Sequence, residues 1–403
     1  MSNKNIPVIM YHSVGIPNKK WHWNFLTCPW MIFEDQMQWI KNNGYTTIHL
    51  DDLYSFIYAG KTLPDKPIVL TFDDGYLDNY VFAYPLLKKY GLKGTIFINP
   101  EFVDPRLIKR KQFDQTDDIS KLETDGFLSW EEIEEMFADN IFDFQSHALT
   151  HTWYPISNEI VDFRHPDDNY IWMTWNDNID KKPYLQTDDK KLIELGAPVY
   201  KYSKSLSAPR YFPDDKLKDF LLTFVRENGG KLFFGNTDWQ NILYQKVEEY
   251  RANNEIIDCV ETENEYYERI KHELTSSKNI LENRLKKKVN FLCWPGGSGT
   301  KVGIELSKII GYKMTTAAKD LSKQSRRKIK NNPSKPCSRI SRISPIYYES
   351  LNKNGGIDVT YSGSRIYGMK IKSFENNFIK SFMWKSLFYL FAFISKLNNK
   401  LIK

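Results

Sequence analysis

Residues 67–75 read PIVLTFDDG, a short apolar run that ends in two adjacent carboxylates, Asp73 and Asp74, and a glycine. A compact run of this kind, without helical spacing, is expected to form a strand buried on both faces. Such strands belong to parallel sheets covered by helices, where reactive groups gather beyond the C-terminal strand ends. Outward from this stretch the same alternation recurs. Upstream, residues 6–11 form an apolar strand, residues 33–43 have helical spacing through Phe33, Met37 and Ile40 and stop at Gly44, and residues 45–50 form a short strand. Downstream, residues 80–90 are helical and end at Gly91, residues 94–99 (GTIFIN) form a strand, and residues 142–145 form another just before His147. Strand and helix alternate without hairpin signals, which predicts a parallel sheet or barrel.

Neighbouring residues on a continuing strand point to opposite faces, so Asp73 and Asp74 reach one pocket only if the chain turns, and Gly75 permits that turn. Two close carboxylates repel, and one would take up a proton. A dication removes the conflict: one Asp ligates it while the other stays ionised as a base. Taken alone, an Asp-Asp-Gly turn suits a solvated surface equally well. The second signal is His147-Ala148-Leu149-Thr150-His151, two of only seven histidines in the chain. Spacing of i, i+4 predicts both rings on one face of a helical turn at metal-ligand separation. Two imidazoles and one carboxylate leave positions open for water and substrate, as a catalytic zinc or similar dication requires.

The remaining sequence sets the frame. With 403 residues, 41% hydrophobic and 26% charged, the chain is globular rather than disordered. The net charge of +6 is spread over many Lys and Glu and does not imply nucleic acid. The basic run Arg326-Arg327-Lys328-Ile329-Lys330 suits either phosphates or a solvated loop. The 15% aromatic content fits a sugar-binding surface and an aromatic-rich core alike. Cys28, Cys259, Cys293 and Cys337 lack C-x-x-C spacing and suggest neither a zinc ribbon nor a disulfide framework. From 153 to 258 the periodicity breaks, with helical stretches near 215–227 and 239–251; this reads as an insertion or lid. Regularity returns with a long charged helix over 263–287, a strand over 289–294, the turn Pro295-Gly296-Gly297, a helix over 303–311 and a strand over 312–316. Residues 380–403 make a broad apolar helical face through Phe382, Trp384, Leu387, Phe391 and Ile394. The apolar stretch between Lys385 and Lys396 is too short to span a bilayer, which needs about 20 residues. It would lie in a membrane interface or pack on the domain. The N-terminus lacks the apolar core of a signal peptide, so a cytoplasmic location is the expectation, with the tail a candidate contact at the inner face of the membrane.

The runs MYHSV (10–14), TFDDG (71–75), SHALTH (146–151) and FLCWPGG (291–297) together resemble the polysaccharide deacetylases with a NodB-homology domain, carbohydrate esterase family 4. Within that family they are most similar to the branch acting on poly-N-acetylglucosamine. FEDQMQWIKNNGYTT before the Asp motif and PLLKKYGLKGTIFI after it agree. The resemblance covers residues 5–155 and 261–345. It implies an α/β fold, a distorted parallel (β/α)7-type barrel, here with a large insertion and a C-terminal amphipathic helical tail. The expected division is 1–152 and 261–350 for the barrel, 153–260 for the insertion and 351–403 for the tail. By resemblance, Asp73 is the general base, Asp74, His147 and His151 hold the metal, and His12 is the general acid. Trp294, Pro295, Gly296 and Gly297 line the groove and supply a backbone N–H to the oxyanion. The Arg that orients the base has no clear motif match; Arg342 is a candidate for it. Arg210, inside the insertion, is a candidate contact for an anionic substrate, with a plain surface role as the alternative. The implied activity is metal-dependent removal of N-acetyl groups from an amino sugar in a glycan or a lipid- or nucleotide-linked sugar. The implied cofactor is a divalent metal, zinc first, with cobalt, nickel or manganese as alternatives. A non-catalytic carbohydrate-binding barrel and an O-acetyl esterase are the competing readings.

Overall fold

A computed structural model of the chain describes residues 5–318, 320–343, 364–375 and 378–401. Seven strands run in the order Val8–Tyr11, Pro67–Asp74, Gly94–Ile98, Phe142–Ser146, Phe291–Leu292, Met314–Thr316 and Arg339–Ile340, with every neighbouring pair parallel. The order returns on itself. Ile9 bridges Ile343 in parallel, with Met10 N–H donating to Ile343 at 3.1 Å and Ile343 N–H to Val8 at 2.7 Å. The sheet is therefore a seven-stranded parallel barrel, and Thr46–Thr47 pairs outside the ring with Pro67–Asp74.

Period-2 alternation divides each strand between two cores. Val8, Val69, Phe97, Phe291, Cys293, Met314 and Ile340 form one cluster inside the barrel, joined by Leu50, Leu53 and Ile57 of the helix Leu50–Ala59. Ile9, Tyr11, Leu70, Phe72, Ile96, Phe142 and Phe144 face outward against helices, meeting Phe33, Met37 and Ile40 of Trp30–Asn42 and Ile270, Leu274 and Leu281 of Glu263–Leu285. Phe72 stacks on Tyr11 with centroids 5.2 Å apart and meets the edge of Phe142, also at 5.2 Å.

Several elements depart from the sequence reading. The strand expected over 45–50 shrinks to Thr46–Thr47, and the helix Leu50–Ala59 follows at once, capped by Asp52, whose carboxylate accepts the His49 N–H at 3.2 Å. The strand expected over 289–294 shortens to Phe291–Leu292. The insertion contains an antiparallel pair, Trp153–Phe163 with Pro198–Lys204, whose alternation is interrupted by irregular register between Pro155 and Ile160 and again before Asp162. Helices Asp215–Glu227 and Trp239–Arg251 pack on this hairpin around Phe163, Leu217, Leu221, Leu243 and Val247, a core separate from the barrel's.

At the C-terminal side, the helix Ser364–Glu375 returns to the barrel. Tyr367 is buried and receives the Tyr11 hydroxyl at 3.1 Å, while Gly368 lies against the Trp39 ring. The helix Phe378–Leu401 follows, leaving Ile379, Phe382, Tyr389, Leu390 and Phe393 exposed. Among the described residues no helix is long and apolar enough to cross a membrane. The first part of the expected tail, 351–363, lies outside the described residues.

Candidate active site

The register places Asp74, Ile98 and Ser146 level with one another at the C-terminal edge of the barrel. Asp73 follows the alternation of Val69 and Thr71 toward the barrel axis. Strict alternation would send Asp74 outward with Leu70 and Phe72. It does not go there, because Asp74 itself adopts φ +77° and Gly75 φ +75°, so the chain turns over the rim. Asp is among the few side chains that visit this left-handed region with some frequency. Gly75 has no such choice, since a Cβ there would also lie 2.6 Å from Ile98 Cδ1.

The histidines arrive differently from the expectation. Residues 147–152 are not a helical turn but a loop, with Ala148 at φ +61° and His151 at φ +44°. Ser146 ends its strand, and Asn99 donates to the carbonyls of His147 and Ala148, which pulls the loop across the rim rather than into a helix. The two rings still converge, with centroids 5.1 Å apart. His147 Nε2 lies 3.1 Å and His151 Nε2 3.3 Å from the same oxygen, Asp74 Oδ1. That oxygen is buried and has no hydrogen-bond partner.

His147 Nδ1 is 2.8 Å from the Cys293 carbonyl, an acceptor only, so Nδ1 carries a hydrogen and Nε2, turned to Asp74, is the nitrogen left to ligate. Ligands about 2.0–2.1 Å from a tetrahedral zinc sit about 3.3 Å from each other. The donor set therefore fits a dication in spacing, tautomer and unmet valence. Burial holds the His151 imidazole down to about 4, against the pull of Asp74, which leaves it neutral and able to ligate. Burial would raise the Asp74 carboxyl, but His151 and His147 hold it well below the usual carboxylate range.

Asp73 belongs to a different set of contacts. Arg342 grips both of its oxygens, Nη1 to Oδ1 at 2.6 Å and Nη2 to Oδ2 at 2.8 Å. His12 Nε2 stands 3.8 Å from Oδ2. Burial alone would raise the Asp73 carboxyl; Arg342 and then His12 bring it below its ordinary value. Burial lowers His12, outweighing the attraction of Asp73 and Asp74. Asp73, His147 and Cys293 also converge closely enough to suggest a second cation set. There the positive charge is already supplied, because Arg342 Nη2 lies 3.2 Å from Cys293 Sγ while it forks onto Asp73.

A cavity of about 460 Å³ opens over these groups, lined by His12, Asp73, Asp74, His147, His151 and Arg342 among others. Trp294, Gly296 and Gly297 line it too; Pro295 is buried but is not among the lining residues. Gly297 N–H is spent on the Trp294 carbonyl at 2.8 Å, which leaves Gly296 as the candidate donor of that turn. Arg210 is not brought to the cavity. Its guanidinium is sandwiched between Tyr154, at 4.3 Å, and Phe212, at 4.5 Å, inside the insertion.

Other residues of the site were not anticipated. Trp23, Trp153 and Trp175 form one wall, Trp23 stacking on Trp153 at 5.7 Å and 11°. Lys204 crosses from the insertion to donate to the Gly296 carbonyl at 2.7 Å. Tyr76 reaches Asp74, and burial together with that carboxylate pushes its hydroxyl well up. Only Tyr76 had a signal in the sequence, its place directly after the Asp-Asp-Gly turn.

Residues 60–181 match the polysaccharide deacetylase family. The Bacillus subtilis (strain 168) protein YxkH is 42% identical over 93 residues, 23% of this chain and 31% of that protein. The poly-beta-1,6-N-acetyl-D-glucosamine N-deacetylase of Staphylococcus aureus (strain MRSA252) is 26% identical over 196 residues, 45% of this chain and 62% of that one. The chain thus spans less than two thirds of either relative's length. A solved de-N-acetylase from Aggregatibacter actinomycetemcomitans superposes over 78% of this chain and 87% of its own, with TM-score 0.48 and 18% identity, too distant to inform the site. On the family match, residues 60–181, which carry both aspartates and both histidines, are placed in the polysaccharide deacetylase family.

Proposed function

We propose that the chain is a dication-dependent hydrolase that removes N-acetyl groups from amino sugars of a glycan, releasing acetate. One observation carries this reading: a buried carboxylate oxygen without a hydrogen-bond partner faces two imidazole nitrogens at 3.1 and 3.3 Å, while a second carboxylate, held by Arg342, stands beside it. The family match and the relatives named as N-deacetylases support the acetamide as the bond attacked.

Asp74, His147 and His151 would hold the dication, which when bound polarises a carbonyl and acidifies water, in zinc enzymes to a pKa of about 7. Asp73 takes the proton as water attacks the acetamide carbon. Its carboxyl, kept weakly basic by Arg342, gives that proton up readily. His12, neutral in the free pocket and 3.8 Å away, is in range to carry it to the departing nitrogen. Gly296, which lines the cavity, is the candidate N–H donor to the developing oxyanion, and the tryptophan wall offers flat apolar surface to a sugar ring.

Acetate release from N-acetylglucosamine oligomers should be abolished by chelation and restored by zinc, cobalt, nickel or manganese. Release from O-acetylated but not N-acetylated substrates would replace the amidase with an esterase, and no release with any dication would remove the hydrolase. Gly296→Ala supplies a finer check. Gly296 has φ +51°, and a Cβ there would lie 2.0 Å from Lys204 Nζ. The Lys204 side chain is pushed off its contact and alanine is strained at that φ, and a resulting displacement of about 1 Å costs up to about 10²-fold in turnover. The expected outcome is a fall in kcat with dication binding unchanged, since the three ligands lie on other elements.

A further inference from the structure

The loop that carries both histidines has two non-glycine residues in the left-handed region, and that conformation persists only if its surroundings impose it. Two buried charged side chains outside the reaction do so. Glu273, from the helix Glu263–Leu285, is 3% exposed. One of its oxygens accepts the N–H groups of Leu149, at 3.2 Å, and Thr150, at 3.1 Å; the other accepts the Thr150 hydroxyl at 2.6 Å. Lys182, from the insertion, is 1% exposed. It donates to the Thr150 carbonyl and, at 2.8 Å, to Glu101, whose own N–H donates to the Leu149 carbonyl at 3.3 Å. Lys and Glu are rarely buried so fully unless paired. Lys182 finds its counter-charge in Glu101, while Glu273 is met by the loop's own donors: its carboxylate takes the N–H groups of Leu149 and Thr150, and the ammonium takes the Thr150 carbonyl, at the residue immediately before His151. Nothing in the hydrolysis uses either group.

The geometry points to Glu273 and Lys182 as positioning residues that clamp the His147–His151 loop from two sides, so that docking of the insertion sets the affinity of the site for its dication. This rests on the metal-site reading above. Partners of this kind around a metal typically change its affinity by about 10–100-fold.

The test is the dissociation constant for zinc by chelator competition, with the visible spectrum of the cobalt-loaded protein as a report on coordination geometry. Lys182→Met and Glu273→Leu are expected to weaken binding by about 10–100-fold and to alter the cobalt spectrum. Lys182→Arg and Glu273→Gln, which keep a donor and an acceptor in place, are expected to recover most of the loss. Should Glu273→Leu fail to fold, Glu273→Gln and Lys182→Met carry the comparison. Dissociation constants and spectra unchanged from wild type, with only a lower Tm, would overturn the clamp and leave the metal site standing. A wild type that takes up no dication, or an Asp74→Asn variant that binds as tightly as wild type, would remove the site and the clamp together.

Discussion

Asp73→Asn is expected to retain one dication per chain and to release acetate about 10²–10⁴-fold more slowly than wild type, the usual contribution of a positioned base. The asymmetry follows from one backbone angle. Asp73 obeys the strand's alternation and points to the barrel axis, where Arg342 occupies both of its oxygens. Asp74, at φ +77°, is turned over the rim and offers a bare oxygen to two imidazoles. An amide at 73 keeps the shape of the pocket, loses the group that accepts the proton, and leaves the ligand set whole. The same change at 74 has the opposite signature. Asn offers a neutral oxygen to a dication and cannot oppose its charge, so Asp74→Asn is expected to lose the metal and, with it, all turnover. Metal analysis of both variants beside their acetate release separates the two roles. Loss of metal from Asp73→Asn with retention in Asp74→Asn would mean that the roles are reversed.

The parts of this arrangement that were legible in the sequence are those set by short range. The run PIVLTF is apolar because both faces of a barrel strand are buried, and the Asp-Asp-Gly turn is a local device that a reader can find without the fold. The histidine pair was found for a partly mistaken reason. Its spacing suggested a helical turn, but Asn99, Glu273 and Lys182 impose a left-handed loop, and none of the three is close in sequence. Arg342 reaches Asp73 across 269 positions, because closing the barrel lays the strand Arg339–Ile340 near Val8–Tyr11. A lone arginine after a short strand carries little of that, so the sequence offers Arg342 only as a candidate for the orienting role. The insertion was legible as a break in periodicity and little more. Its hairpin is irregular in register, so the period-2 signal averages away, and its tryptophans become a wall only when Trp23 from the first hundred residues stacks on Trp153.

The second large effect concerns Arg342, and it appears first as stability. Arg342→Met leaves the Asp73 carboxylate buried with its ion-pair partner gone, and breaking a buried pair from one side costs about 3–5 kcal/mol. The pH dependence has a definite sign. In wild type, Asp73 titrates below its unfolded value, so it contributes stability above about pH 4 that is lost as pH falls through the lower folded value. Without Arg342, burial dominates and the folded value rises above the unfolded one. The variant is then penalised increasingly as pH rises from about 4, where unfolded Asp ionises, toward the new folded value. Its Tm deficit against wild type should be smaller at pH 4 than at pH 8, and the acid limb of its turnover should move to higher pH, because a base that holds a proton cannot take one. The double variant Arg342→Met with Asp73→Asn removes the orphaned charge and should regain much of the Tm while remaining as slow as Asp73→Asn alone. A deficit that stays constant across pH, or that survives in the double variant, would mean that Arg342 contributes by packing over Phe97, whose ring centre lies 5.8 Å from its guanidinium, and not by holding Asp73 ionised.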